Sequence, residues 1–254
     1  MAQSKLGFKL LSICALTLGL MAIGGASLAQ AEPGAYWGYL NASNELLKFG
    51  PALEPVLGFE IEELNDPKDP GKHLVLLTEI LKQKVAILCG ELLSDLKLKA
   101  EGLVLGLLTF HKCIFKINGV TSPACEPVFS GSKGLIKTLE LDGLILLHKL
   151  EPSGEKHDVV EFKPDVGSNA IAHIKVGEEC ALGEDILLNG SFALWDCQKE
   201  FLVHKVVHLW EEFAPLNKLW VISNTAEHKT TIDGSVNVFL TGVHAGLKWA
   251  GTPA

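Results

Sequence analysis

Residues Val85–Cys125 read VAILCGELLSDLKLKAEGLVLGLLTFHKCIFKINGVTSPAC, and this stretch decides the fold class. Val85, Ile87 and Cys89 share one face under a period of two, and LKLKAE alternates with Leu96, Leu98 and Ala100 on one side and Lys97, Lys99 and Glu101 on the other. LVLGLLTF is apolar on both faces, the pattern of a strand covered on each side. Asn118-Gly119 then marks a hairpin turn, because both residues tolerate the positive φ that a two-residue loop demands. Strand, strand, turn and return follow one another with no helical period.

The same grammar extends outward. HLVLLTEIL and KVAILC are β-rich and separated by a polar break at residues 82–84. GLIKTLELDGLILLHKL reads as two strands around Asp142-Gly143. DVVEF, AIAHIKV and DILLNGSFALW follow at intervals of about ten residues, the spacing of a sandwich or barrel. Residues 201–213 read as a strand, although Leu202, Val206, Trp210 and Phe213 also fit one helical face. LWVISNTAEHKTTI and SVNVFLTGVHAGLKWAG close the chain as strands, with Asp233-Gly234 as a turn. The expected fold is mainly β: an antiparallel β-sandwich or β-barrel, stapled by disulfides. Residues 73–254 form its single domain. Residues 32–72 read as an irregular N-terminal extension, with one helical turn at Asn44–Phe49 and a short edge strand at FEIEEL.

Residues 1–31 read as an export signal. Lys5 and Lys9 precede an apolar run from Leu10 to Ile23, and Ala29-Gln30-Ala31 has the small-x-small form of a cleavage site before Glu32. A retained anchor is the competing reading, since about 18 apolar residues span a bilayer. The leader removes two lysines and no acids from a chain with 22 basic and 30 acidic residues, so the mature chain carries 20 against 30, a net charge of −10. Every basic residue is lysine. Without a guanidinium fork and with this acidic excess, nucleic acid and anionic lipid are disfavoured partners. No integral membrane span is expected after cleavage.

Five cysteines remain beyond the leader: Cys89, Cys113, Cys125, Cys180 and Cys197. Export permits disulfides. The Asn-Gly hairpin favours Cys113 with Cys125, and Cys89 then pairs with Cys180, a Cys180–Cys197 bridge being the competitor. One thiol is left over.

The order ILC…LTFHKC…GVTSPAC…GLIKT…LLH…EEC…DC…HL…AEHKTTIDGSVNVFLTG…GLKW, spanning Leu74 to Trp249, resembles a group of exported bacterial proteins of unknown function. The resemblance implies export and a β-rich fold, and no activity.

Motifs for chemistry are sparse. His204 and His208 have the i, i+4 spacing of a helical zinc motif, but Lys205 stands where the glutamate belongs, and on a strand residues four apart lie about 13 Å apart. A turn centred on Pro152-Ser153 brings His148 opposite His157, close enough to share Zn²⁺ or to repel each other near pH 6, with His173 as a third candidate ligand; the plainer reading is a solvated face. Ser130 and Lys133 have S-x-x-K spacing in a Gly/Ser loop rather than at a helix start. Gly234-Ser235 lacks a nucleophile-elbow pattern. Asp66 and Asp69 lack EF-hand spacing. The acid pairs Glu178/Glu179, Glu184/Asp185 and Glu211/Glu212 read as turns and edges rather than as a glycosidase pair. Trp195, Trp210, Trp220 and Trp249 cluster late in the chain and read as core. The sequence thus predicts no catalytic, cofactor or metal residue. It predicts a non-enzymatic binding or structural module whose partner is a protein, an envelope component or a small molecule. The alternatives are a barrel that carries a small apolar ligand, or a hydrolase assembled from distant loops.

Overall fold

The computed structural model of the chain describes residues 34–51, 54–61, 74–149, 156–165, 167–196, 201–209 and 218–252. It is an antiparallel eight-stranded β-barrel with additional strands. Four long strands run its full length: β5 (Gln83–Leu98), β6 (Leu103–Ile117), β14 (Asp185–Asp196) and β17 (Ala226–Leu240). The other four staves are each broken into two shorter strands.

Between β5 and β17, β4 (Leu74–Ile80) pairs one half of each long strand and β3 (Glu54–Ile61) the other half. Between β17 and β14, β16 (Lys218–Ser223) and β15 (His204–Leu209) divide the length in the same way. On the far side of β14 lie β13 (Ala170–Lys175) and β12 (Lys156–Pro164), and beside β6 lie β10 (Ile136–Lys137) and β11 (Leu141–Lys149). The β11–β12 ladder closes one half of the barrel, and a Thr138↔Ala172 bridge closes the other. The breaks fall at one level and form a seam around the wall.

Glycines sit at this seam for a steric reason. Gly106 in β6 has φ 137°, and a Cβ there would lie 1.9 Å from the Asp95 carbonyl oxygen. Gly190 in β14 has φ 106°, and a Cβ would lie 1.7 Å from the Lys218 carbonyl oxygen. Only a residue without a side chain lets the backbones approach so closely and adopts the left-handed region freely. This corrects two expectations. Asp142-Gly143 and Asp233-Gly234 are not turns: they lie inside β11 and β17. The chain breaks instead at Leu139-Glu140, which together oppose Leu107, because Thr138 bonds Leu108 while Leu141 pairs Gly106.

Inward positions are mainly apolar. On β5 they are Val85, Ile87 and Cys89, then Leu92, Leu96 and Leu98, so the inward parity changes once along the strand; β6 changes with it, from Val104 and Leu108 to Cys113 and Phe115. Lys112, at φ 54°, marks the change. Outward positions carry Asp95, Lys97, Lys116 and Lys163, all away from full burial. An interior lined mainly by apolar side chains differs from that of a membrane-spanning barrel, which is polar inside. Among the described residues no helix is long and apolar enough to cross a membrane.

The N-terminal region also differs from expectation. Residues 36–40, 46–48 and 54–61 are strands rather than an irregular extension. β1 (Tyr36–Leu40), β2 (Leu46–Lys48) and β18 (Lys248–Thr252) form a separate three-stranded sheet, β18-β1-β2, so Asn44–Phe49 holds a strand rather than a helical turn. FEIEEL contributes to β3, which fills half of the stave between β5 and β17 rather than an edge, with Phe59 opposite Val238 and Ile61 opposite Val236.

The disulfide partners differ as well. The same four cysteines bond, but as Cys89–Cys113 and Cys125–Cys180. Cys89 and Cys113 are directly opposed on β5 and β6, with Cα atoms 4.0 Å apart. The hairpin return after Asn118-Gly119 lasts only two residues, β7 (Val120–Thr121), before Pro123 turns the chain away. Gly134 then takes the place beside Cys113, accepting its N–H through the carbonyl at 2.9 Å. Cys125 is left facing the 176–184 loop, where Cys180 lies.

Candidate functional site

Both ends of the barrel are closed by side chains. At one end the terminal sheet lies across the opening: Trp37 donates its indole N–H to the Leu103 carbonyl at 3.0 Å and packs 5.7 Å from Trp249, and both rings join the core. At the other end the 176–184 loop inserts Leu182, fully buried. Ser223 Oγ and Asn224 Nδ2 donate to the Leu182 carbonyl, and the Cys125–Cys180 bond ties the same loop to the 3-10 turn Pro123–Cys125. Between the two plugs lies an apolar cavity of about 40 Å³, lined by Leu76, Ile87, Cys89, Phe110, Ile174 and Leu188 among others. Pockets for drug-sized ligands measure about 300–1,000 Å³.

Leucines reach solvent on the outer wall instead. On β5, β6 and the β10–β11 junction, Leu93 is 51% and Leu139 is 39% exposed, with Leu105 and Leu107 half-buried between them. The register explains the cluster. Leu93 pairs Thr109 and Asp95 pairs Leu107, while the extra residue at the Leu139-Glu140 bulge pushes Leu139 outward beside Leu107. Four acids border it: Asp95, Glu140, Asp142 and Asp165. Asp142 stands opposite both Leu105 and Lys163, yet Lys163 pairs with Glu161 at 2.9 Å, and Asp165 donates its backbone N–H to the Glu140 carbonyl. Burial, the Asp165 charge, a side-chain hydrogen bond to Asp165 and the Glu140 charge all push the Asp142 carboxyl above its ordinary pKa. Lys97 opposite Leu105 and Lys137 opposite Thr109 are outward cations beside the cluster, fewer than its four acids.

Most of the residues singled out by spacing alone are kept apart. His204 and His208 lie on strand β15, which excludes a helical zinc motif. Ser130 and Gly131 form the turn between β8 (Val128–Phe129) and β9 (Ser132–Lys133), not a helix start. Ser235 is buried within β17. Glu178, Glu179, Glu184 and Asp185 are exposed around the 176–184 loop. His173 is exposed on β13, in the half of the barrel away from the 148–157 hairpin. Trp37 and Trp249 are buried and Trp220 is half-buried. Asp66, Asp69, Cys197, Trp210, Glu211 and Glu212 lie outside the described residues. Among the described residues no three metal-ligating side chains converge. One juxtaposition was correctly anticipated: His148 and His157 are directly opposed on β11 and β12.

The leucine cluster and the Asp142–Asp165 pair were missed. Leu93, Leu105 and Leu107 occupy outward positions of an alternating pattern, which was a readable signal; Leu139 depends on a bulge, which was not. Compared with known proteins, no family model matches the chain, and no curated protein or solved structure matches it either.

Proposed function

We propose that this is an exported, non-enzymatic binding module that acts through its outer wall, with the leucine cluster around Leu93, Leu107 and Leu139 as the contact surface. The observation that carries this reading is the inversion of access: among the described residues the barrel interior is lined by buried apolar side chains around a cavity of about 40 Å³ and plugged at both ends, while leucines stand exposed on the wall. The acidic border selects a protein partner that presents basic residues around an apolar centre, since opposite potentials steer encounter and fix register. Export rests on the leader-like residues 1–31 and on two buried disulfides, which persist in oxidising compartments. The group of exported bacterial β-rich proteins that the cysteine and glycine order resembles belongs to the same reading.

Native mass spectrometry of the exported, untagged protein tests it. The expected result is a bare chain, lighter by two hydrogens for each disulfide. A co-purified apolar molecule of a few hundred daltons, released on denaturation, would overturn it in favour of a carrier.

A further inference from the structure

The lumen holds a second feature that the leucine surface does not use. An eight-stranded barrel is just wide enough for side chains to fill it or for one small guest to occupy it. Here the filling is interrupted at the cavity of about 40 Å³. Ile232, Leu76 and Ile87 are partners in one row across β17, β4 and β5, and all three line it. The rest of the lining comes from β6, β10, β13 and β14, so every stave around this half of the barrel contributes except β16. The cavity therefore lies in the lumen rather than under one face of the wall.

The change of inward parity on β5 and β6 accounts for it. Inward positions on β5 are odd as far as Cys89 and even from Leu92, and on β6 even as far as Phe110 and odd from Cys113. At that step Gly90 has no side chain. Glu91 and Lys112 point outward, where their ion pair of 3.3 Å is exposed. His111 stands opposite Glu91 and so shares its face. Neither strand sends a side chain inward between the Cys89–Cys113 rung and the Leu92–Phe110 rung. Cys89 and Phe110, which flank the step, both line the cavity.

Every described residue of the lining is apolar. Water in such a place lacks the roughly two to four polar partners it needs, whereas an apolar guest gains dispersion contacts with the surrounding side chains. Apolar cavities of about 150 Å³ take benzene or xenon, so one of about 40 Å³ fits a guest of about one or two heavy atoms. We infer that the lumen is a binding site for one small apolar molecule of this size, such as a dissolved diatomic gas. Val75 and Phe110 line the cavity yet are only half-buried, which marks the wall beside them as the route of entry. The site is independent of the leucine surface. A gas is lost on transfer to the mass spectrometer, so it is compatible with the bare chain expected above.

Nuclear magnetic resonance of the full exported protein under xenon tests the inference, with xenon itself as the probe. A saturable, protein-dependent shift of the xenon signal is expected, and the methyl signals of Leu76, Ile87, Leu188 and Ile232 should move first. Leu188→Phe, which fills the lumen, should abolish the saturable shift, and Leu188→Ala, which enlarges the cavity, should retain it. A saturable shift that survives Leu188→Phe would overturn the site. So would methyl changes centred on Leu93, Leu105 and Leu107, an outcome that leaves the leucine surface standing as a contact site. Should the Leu188 variants fail to fold, the methyl map of the wild type decides: changes confined to the lumen support the inference, and the absence of any saturable change refutes it.

Discussion

The two halves of the barrel are closed by different means. The half built with β4, β10, β13 and β16 is held covalently: both disulfides lie there, and its plug, the 176–184 loop, is bonded to the β16–β17 turn as well. The half built with β3, β11, β12 and β15 has no described disulfide and is closed by the sheet that joins residues 36–48 to residues 248–252. That second closure depends on packing of Trp37, Phe49 and Trp249 and on strands from opposite ends of the chain. One half is therefore stapled through the denatured state, whereas the other forms only when distant segments meet, an entropically later event. Four strands common to both halves couple them.

The largest expected effect abolishes the distinction. Gly190→Ala places a Cβ against the Lys218 carbonyl at a positive φ in one of the shared strands. Destabilisation on the order of 4 kcal/mol or more is expected, in a single urea transition that takes both halves together. A loss below about 1 kcal/mol would show that the long strands are not the coupling elements.

A paired experiment sharpens the comparison. Trp37→Ala should cost about 3–5 kcal/mol, as for a buried aromatic. Replacing Cys125 and Cys180 by serine should cost about 4 kcal/mol for a bond spanning 55 residues. Hydrogen exchange distinguishes them. The tryptophan variant should lose amide protection first in β1, β18 and β11, and the cysteine variant first in the 176–184 loop and β13. Identical protection patterns would mean that the halves open as one unit.

The smallest effect lies at the seam, where Asp142 meets Asp165. A carboxyl whose folded pKa is raised binds its proton more tightly in the folded state. Its contribution is therefore most favourable below the ordinary carboxyl pKa of about 3.9 and is lost as pH rises through the folded value. Asp142→Asn, which keeps a donor toward Asp165, should stabilise the protein at pH 7 by less than about 1 kcal/mol, and the gain should fade as pH falls toward 4. A gain that grows on acidification would reverse the assigned sign.

Much of the wall was legible one strand at a time. The inward sets Val85, Ile87, Cys89 and Leu96, Leu98 follow directly from alternation, and so does the Asn118-Gly119 hairpin. Asp142-Gly143 and Asp233-Gly234 misled because an Asp-Gly pair is a turn signal only in isolation. Gly143 is glycine because a Cβ would lie 2.8 Å from the Phe162 ring, a demand made by a neighbouring strand. The opposition of His148 and His157 was readable because a hairpin joins strands that are adjacent in sequence, so its register is local. The Cys89–Cys113 rung is just as local, on the hairpin of β5 and β6, and was missed, whereas the Cys125–Cys180 bond joins loops 55 residues apart and was not readable in this way.

By itself, then, the amino-acid order determined strand character, inward and outward faces, the acidic exterior and which cysteines are available, since period, charge and composition belong to the chain. Only the tertiary structure decided which strands run unbroken, where the seam falls, which cysteines bond and which leucines remain in water. Those are properties of register between segments more than 200 residues apart (Tyr36 pairs with Thr252), and register is set by the mutual fit of two strands rather than by the residues of either one.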